Sequence, residues 1–123
     1  MRRATLSVTT AADGSATAYS PRISGKLHSA VYVPDGANAY PNTVDMTITA
    51  EATGEALVSR TNVAAGFTAY PRAATQAADG TASLFASGGT AVQDKIGLGN
   101  DRIKIVLAQG GNAKTGKFIF LID

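Results

Sequence analysis

Asp101-Arg102-Ile103-Lys104-Ile105-Val106-Leu107-Ala108, then Gln109-Gly110-Gly111-Asn112-Ala113-Lys114-Thr115-Gly116, then Lys117-Phe118-Ile119-Phe120-Leu121-Ile122 decide the class of this chain. Two β-branched and aromatic runs flank a glycine-bearing loop, which predicts two antiparallel strands joined as a β-hairpin. The first run alternates, with Ile103, Ile105 and Leu107 on one face and Arg102 and Lys104 on the other. The second is apolar on both sides: Phe118, Phe120 and Ile122 fill one face, Ile119 and Leu121 the other. A half-solvated strand has no use for a second apolar face. Ile119 and Leu121 are therefore expected to lie under cover, supplied by the chain itself or by another molecule.

Outward from that stretch, turn signals recur at short intervals: Asp13-Gly14, Asp35-Gly36, Pro41-Asn42, Thr53-Gly54, Gly66, Pro71, Asp79-Gly80, Gly88-Gly89, Gly97, Gly99-Asn100 and Gly110-Gly111. Such punctuation leaves room for strands and almost none for helices. Between the turns, residues 5–9, 15–19 and 26–33 alternate. Thr43-Val44-Asp45-Met46-Thr47-Ile48-Thr49 does so most clearly, with Val44, Met46 and Ile48 facing inward. Burying those three side chains contributes about 1.5 to 3 kcal/mol each before chain entropy is charged against it. Weaker strands are expected at residues 55–60 and 66–70. The sum is an all-β fold, an antiparallel β-sandwich or jelly roll of about eight strands in a single domain spanning residues 1–123.

The stretch from Pro71 to Gly99 differs in character. It is rich in Ala, Gly and polar residues, carries one apolar cluster at Leu84-Phe85, and is too long for an ordinary hairpin loop. It is expected to be an excursion that contacts a neighbour, with a hairpin around Asp79-Gly80 as one way to order part of it. Ala11-Ala12-Asp13-Gly14-Ser15-Ala16 nearly repeats as Ala77-Ala78-Asp79-Gly80-Thr81-Ala82. Shared turn chemistry explains that better than duplication, since Asp bonds its own backbone and Gly tolerates positive φ.

A chain of 123 residues is long enough for one core, burying roughly 65% of its unfolded surface. With 45% hydrophobic but only 7% aromatic residues and no Trp, that core is built from small pieces. Thin cores gain stability from disulfides, metals or association; with no Cys, association is the remaining route. The absence of Cys also removes a thiol nucleophile and thiolate ligation. A net charge of +2 spread over 16% charged residues is close to neutral. No block of like charge suits a nucleic acid or an anionic membrane, and no apolar segment reads as a secretion signal or a span, so neither partner is expected and synthesis is placed in the cytoplasm.

Candidate chemistry is sparse. Gly111 to Lys117 matches P-loop spacing up to its lysine, but Phe118 stands where a hydroxyl is needed and a strand follows where a helix should. His28 is the one histidine and is placed on a face with Ala30 and Tyr32, opposite Leu27 and Val31. The acids show no calcium-loop spacing; Asp45, Glu51 and Glu55 could be assembled as a pair for glycoside hydrolysis, yet nothing marks a cleft. Ala86-Ser87-Gly88-Gly89 lacks the leading glycine of a nucleophile elbow. Tyr32, Tyr40 and Tyr70 could stack on sugars, although Tyr40-Pro41 and Tyr70-Pro71 read more simply as strand stops. No catalytic residue, cofactor or metal is expected. The contact candidates are Arg2 and Arg3, Leu84 and Phe85, and Ile119 and Leu121.

Residues 40–49 (Tyr-Pro-Asn-Thr-Val-Asp-Met-Thr-Ile-Thr), Thr61-Asn62-Val63, Tyr70-Pro71-Arg72-Ala73-Ala74 and residues 101–116 together resemble small virion-associated proteins of tailed bacteriophages, typically encoded close to the capsid genes. Within that group the resemblance points to capsid decoration, or cement, proteins with a jelly-roll fold, which sit across capsomer junctions as dimers or trimers and brace the shell. It implies a major capsid protein as partner, a homo-oligomer, and a place on the capsid surface of the virion. It supplies no contact motif. Two other readings stay open: a carbohydrate- or receptor-binding jelly roll of a tail or fibre, and a head-tail junction or tail component.

Overall fold

The computed structural model describes residues 1–123. Ten strands follow in order: β1 (Arg2–Thr9), β2 (Ala16–Tyr19), β3 (Ile23–Pro34), β4 (Asp45–Ala50), β5 (Ala56–Arg60), β6 (Phe67–Ala69), β7 (Arg72–Ala74), β8 (Gln93–Asp101), β9 (Ile103–Ala108) and β10 (Thr115–Ile122). They form two antiparallel sheets. The first runs β1-β10-β3-β8-β7, with β6 also paired to β3; the second runs β2-β9-β4-β5. No helix is long and apolar enough to cross a membrane.

The pairings nest. β1 pairs with β10, β2 with β9, β3 with β8 and β4 with β5. The chain is thus one long antiparallel ribbon whose closing turn is the β4–β5 connection, rolled so that successive pairs fall in opposite sheets. This is the jelly-roll arrangement. Nesting corrects the expected hairpin over residues 101–122, because β9 and β10 belong to different sheets. Their apolar rows face one another across the core instead: Ile103, Ile105 and Leu107 on one side, Phe118, Phe120 and Ile122 on the other, none more than 1% exposed. A hairpin would have set the rows side by side and left both needing a lid. Stacked sheets lie about 10 Å apart, a gap residues 109–114 span easily.

Two further expectations need correction. Gly97 and Gly99 are not turns; they lie inside β8, alternating with buried Ile96 and Leu98, so the excursion ends at Val92 rather than Gly99. The chain changes sheets just after, with Arg102 alone between β8 and β9. On β3 the simple alternation fails at His28, where the register against β10 shifts between Leu121 and Ile122. That bulge lets Leu27, Ala30 and Tyr32 all face the core, so His28 does not share the face of Ala30 and Tyr32. The β4 reading holds: Val44, Met46 and Ile48 are at most 1% exposed.

Tyr32 and Tyr40 close one end of the core. Their rings stack at 5.9 Å, Tyr32 stacks on Phe118 at 5.3 Å, and the Tyr40 hydroxyl donates to the Val8 carbonyl at 2.5 Å. Gly116 makes room for both rings, since a Cβ there would stand 2.6 Å from Tyr40 Cε2 and 2.8 Å from Tyr32 Cε1. Phe118 can therefore follow immediately on β10 and pack against the same pair.

Candidate partner-contact surfaces

The outer face of the larger sheet carries the second apolar row of β10. Ile119 lies between Thr5 of β1 and Val31 of β3, Leu121 between Arg3 and Ser29, and Lys117 between Ser7 and Val33. Ile119, Leu121 and Val31 are half-buried and Val33 is 41% exposed. Their cover comes from sheet neighbours, because β10 packs on β1 and β3 within its own layer. The result is a four-residue apolar stripe across two adjacent central strands. Val31 and Val33 join it only through register, which the β10 sequence does not contain.

Residues 75–92 form the second surface. They are not an irregular loop but a β-tongue of two successive tight hairpins built out from β7 and β8. Ala77 donates to the Thr81 carbonyl and Gly80 to the Ala77 carbonyl around the first turn; Ser83 and Val92 tie its base to Thr75 and Ser83; Phe85 donates to the Thr90 carbonyl around the second. The first turn repeats the main-chain bonds of the turn at residues 11–15, where Ala11 donates to the Ser15 carbonyl and Gly14 to the Ala11 carbonyl. Asp79 accepts from the Thr81 amide as Asp13 does from Ser15, and Gly80 and Gly14 have φ of 89° and 84°. These backbone and side-chain bonds hold both carboxyls below the usual range. Leu84 and Phe85 are not tucked under the tongue: they are 41% and 75% exposed.

The third surface is the corner where β1 begins. Arg2 and Arg3 point to opposite sides of this edge strand. Arg2 donates to the Ser24 carbonyl, whereas Arg3 stands on the outer face beside Leu121. Between β1 and the segment entering β3 lies a depression of about 350 Å³, lined among others by Arg2, Arg3, Arg22, Ile23 and Ile122. Arg22 reaches it from Pro21-Arg22, its Nη1 donating to the Asn100 carbonyl at 3.1 Å. Arg22 carried no sequence signal, being a lone cation between strands. Of the candidates, Arg3, Ile119 and Leu121 come together on one face. By strand order Leu84 and Phe85 belong to the opposite edge of that sheet.

The remaining candidates serve structure. Tyr32 and Tyr40 are 3% and 5% exposed, so no sugar platform can include them; Tyr70 is 60% exposed and meets His28 edge-on at 5.8 Å. Asp45 accepts from the Asn62 amide at 3.1 Å, and Glu51 pairs with Arg102 at 2.5 Å while that guanidinium lies over the Tyr19 ring. Residues 111–114 cross between sheets, with Gly111 and Ala113 at positive φ, and lead into β10.

No family model and no curated protein matches the chain. Among solved structures it aligns with the exo-β-1,3-galactanase of Phanerochaete chrysosporium, crystallised with galactose, at 17% identity and a TM-score of 0.32. The alignment covers 98% of this chain and 27% of the enzyme, so the chain spans about a quarter of that protein's length.

Proposed function

We propose that this protein is a bacteriophage head decoration protein, a non-enzymatic jelly roll that self-associates on the outside of the shell and braces contacts between capsomers. The observation that carries the reading is the tongue: an ordered β-element that presents Leu84 and Phe85 to solvent at 41% and 75% exposure. An aromatic anchor on a rigid, projecting element gains contact area on binding at little ordering cost. The apolar stripe of Val31, Val33, Ile119 and Leu121 offers a second, flatter contact. The resemblance of residues 40–49 and 101–116 to virion-associated proteins supplies the setting, with the major capsid protein as partner.

Quantitative mass spectrometry of purified particles tests this. A decoration protein is expected in hundreds of copies per particle, and particles made without it are expected to release DNA at lower temperature or lower salt. About a dozen copies per particle would instead make it a junction or tail component. Specific binding on a glycan array would favour a receptor-binding module.

A further inference from the structure

The corner depression combines three arginines with an unpaired strand edge, and we propose that it binds an extended acidic peptide segment of a partner protein as an added strand along β1. Four consecutive residues, Arg2 to Thr5, form one wall. These four residues lie on β1, the edge strand of the larger sheet, which pairs with β10 on one side alone. Its other side therefore offers main-chain donors and acceptors at the spacing an extended peptide needs. Ala4, Ile23 and Ile122 form the apolar part of the lining; the two isoleucines are buried in the core, which leaves half-buried Ala4 as the apolar surface beside the edge.

Charge selects the occupant. Arg2, Arg3 and Arg22 line the depression and no Asp or Glu does. The three ion pairs of the chain are Lys26–Asp94, Lys95–Asp123 and Arg102–Glu51, so none of these arginines has an acidic partner. Asp123, whose backbone reaches Gly25 near Arg2, has its carboxylate engaged by Lys95. Guanidinium groups with unused donors match carboxylates in bidentate geometry. A second copy is a poor occupant, because residues 2–5 carry two arginines and no acid, so pairing them with themselves would bring like charges together and supply no carboxylate. A nucleic acid is also poorly matched: three cations at one corner do not track a phosphate backbone. The site is independent of the decoration reading, since it requires neither self-association nor a shell.

The test uses the full chain and a fluorescein-labelled, end-blocked peptide of alternating Glu and Val, with a Gln-Val peptide as its neutral match. The Glu peptide is expected to bind saturably, at least about tenfold tighter than the Gln peptide, and to weaken as salt rises from about 50 mM to about 300 mM. Arg3→Gln, which removes a side chain with no ion-pair partner, is expected to weaken it about fivefold, and Arg3→Gln with Arg22→Gln further, with circular dichroism unchanged. Amide exchange at residues 2–5 should slow on binding. Equal binding of the two peptides, protection confined to another edge, or unchanged affinity in the double variant would each overturn the proposal. So would an oligothymidylate or a sulfated dextran binding the corner as tightly as the Glu peptide, which would make it a general polyanion site. Should the protein prove absent from virions, these expectations stand unchanged.

Discussion

At the scale of single residues, the most consequential polar group is the Tyr40 hydroxyl. It sits in an aromatic stack, 5% exposed, and its one strong partner is the Val8 carbonyl. Burial, and secondarily the neighbouring Tyr32, push its pKa far above the ordinary value of a phenol. A folded-state pKa above the unfolded value of about 10 means that the native state holds the proton longer. The associated stability is complete below about pH 10 and is lost as pH rises towards the folded value. Urea midpoints are therefore expected to be level from about pH 7 to about pH 9 and to fall steeply beyond about pH 10. Tyr40→Phe should flatten most of that fall, leaving the part due to Tyr32, which burial also raises. At neutral pH the same variant should cost about 1 kcal/mol through the orphaned Val8 carbonyl. A wild-type midpoint that stays level to pH 11 would contradict this account of the stack.

At the scale of elements, the tongue and the last strand separate association from stability. Phe85 is 75% exposed at the tip of a hydrogen-bonded hairpin, so Phe85→Ser removes almost no internal contact. The expected change in unfolding free energy is within about 0.5 kcal/mol. If the chain self-associates as proposed, sedimentation velocity should show an oligomer for the wild type and a shift toward monomer for Phe85→Ser. The tongue was half legible. Asp79-Gly80 announces a turn through the same chemistry as Asp13-Gly14, but its continuation through residues 83–92 has no apolar alternation to betray it, because backbone bonds rather than a buried face hold it. Gly97 and Gly99 misled for the opposite reason. On the exposed side of β8 a missing side chain costs little, and the signal lay in Ile96 and Leu98 between them.

At the scale of the molecule, β10 lies inside one sheet between β1 and β3, and its two rows meet different fates. Phe120 is fully buried between Ala4 and Ala30 and faces the opposite sheet. Phe120→Ala is expected to cost about 3 to 5 kcal/mol, enough to unfold a marginal domain. Ile119, one residue along, lies outside the sandwich, and Ile119→Thr should change stability by less than about 1 kcal/mol while weakening the proposed self-association. Equilibrium unfolding and sedimentation on the same two variants check both halves. A large stability loss for Ile119→Thr would mean that this face is sealed within the chain, and the stripe would then be core.

By itself the sequence determined the strand class, the inward rows of β4, β9 and β10, and the Asp-Gly turns, because period-two alternation and turn chemistry are local properties. The tertiary structure alone decided that β9 and β10 part into opposite sheets, that a bulge at His28 reverses the faces of β3, that Val31 and Val33 complete the stripe beside Ile119 and Leu121, and that Arg22 joins Arg2 and Arg3. Each of these depends on which strands pair and in what register. In a jelly roll the partners lie as far apart as Arg2 and Ile122, beyond the reach of any local pattern.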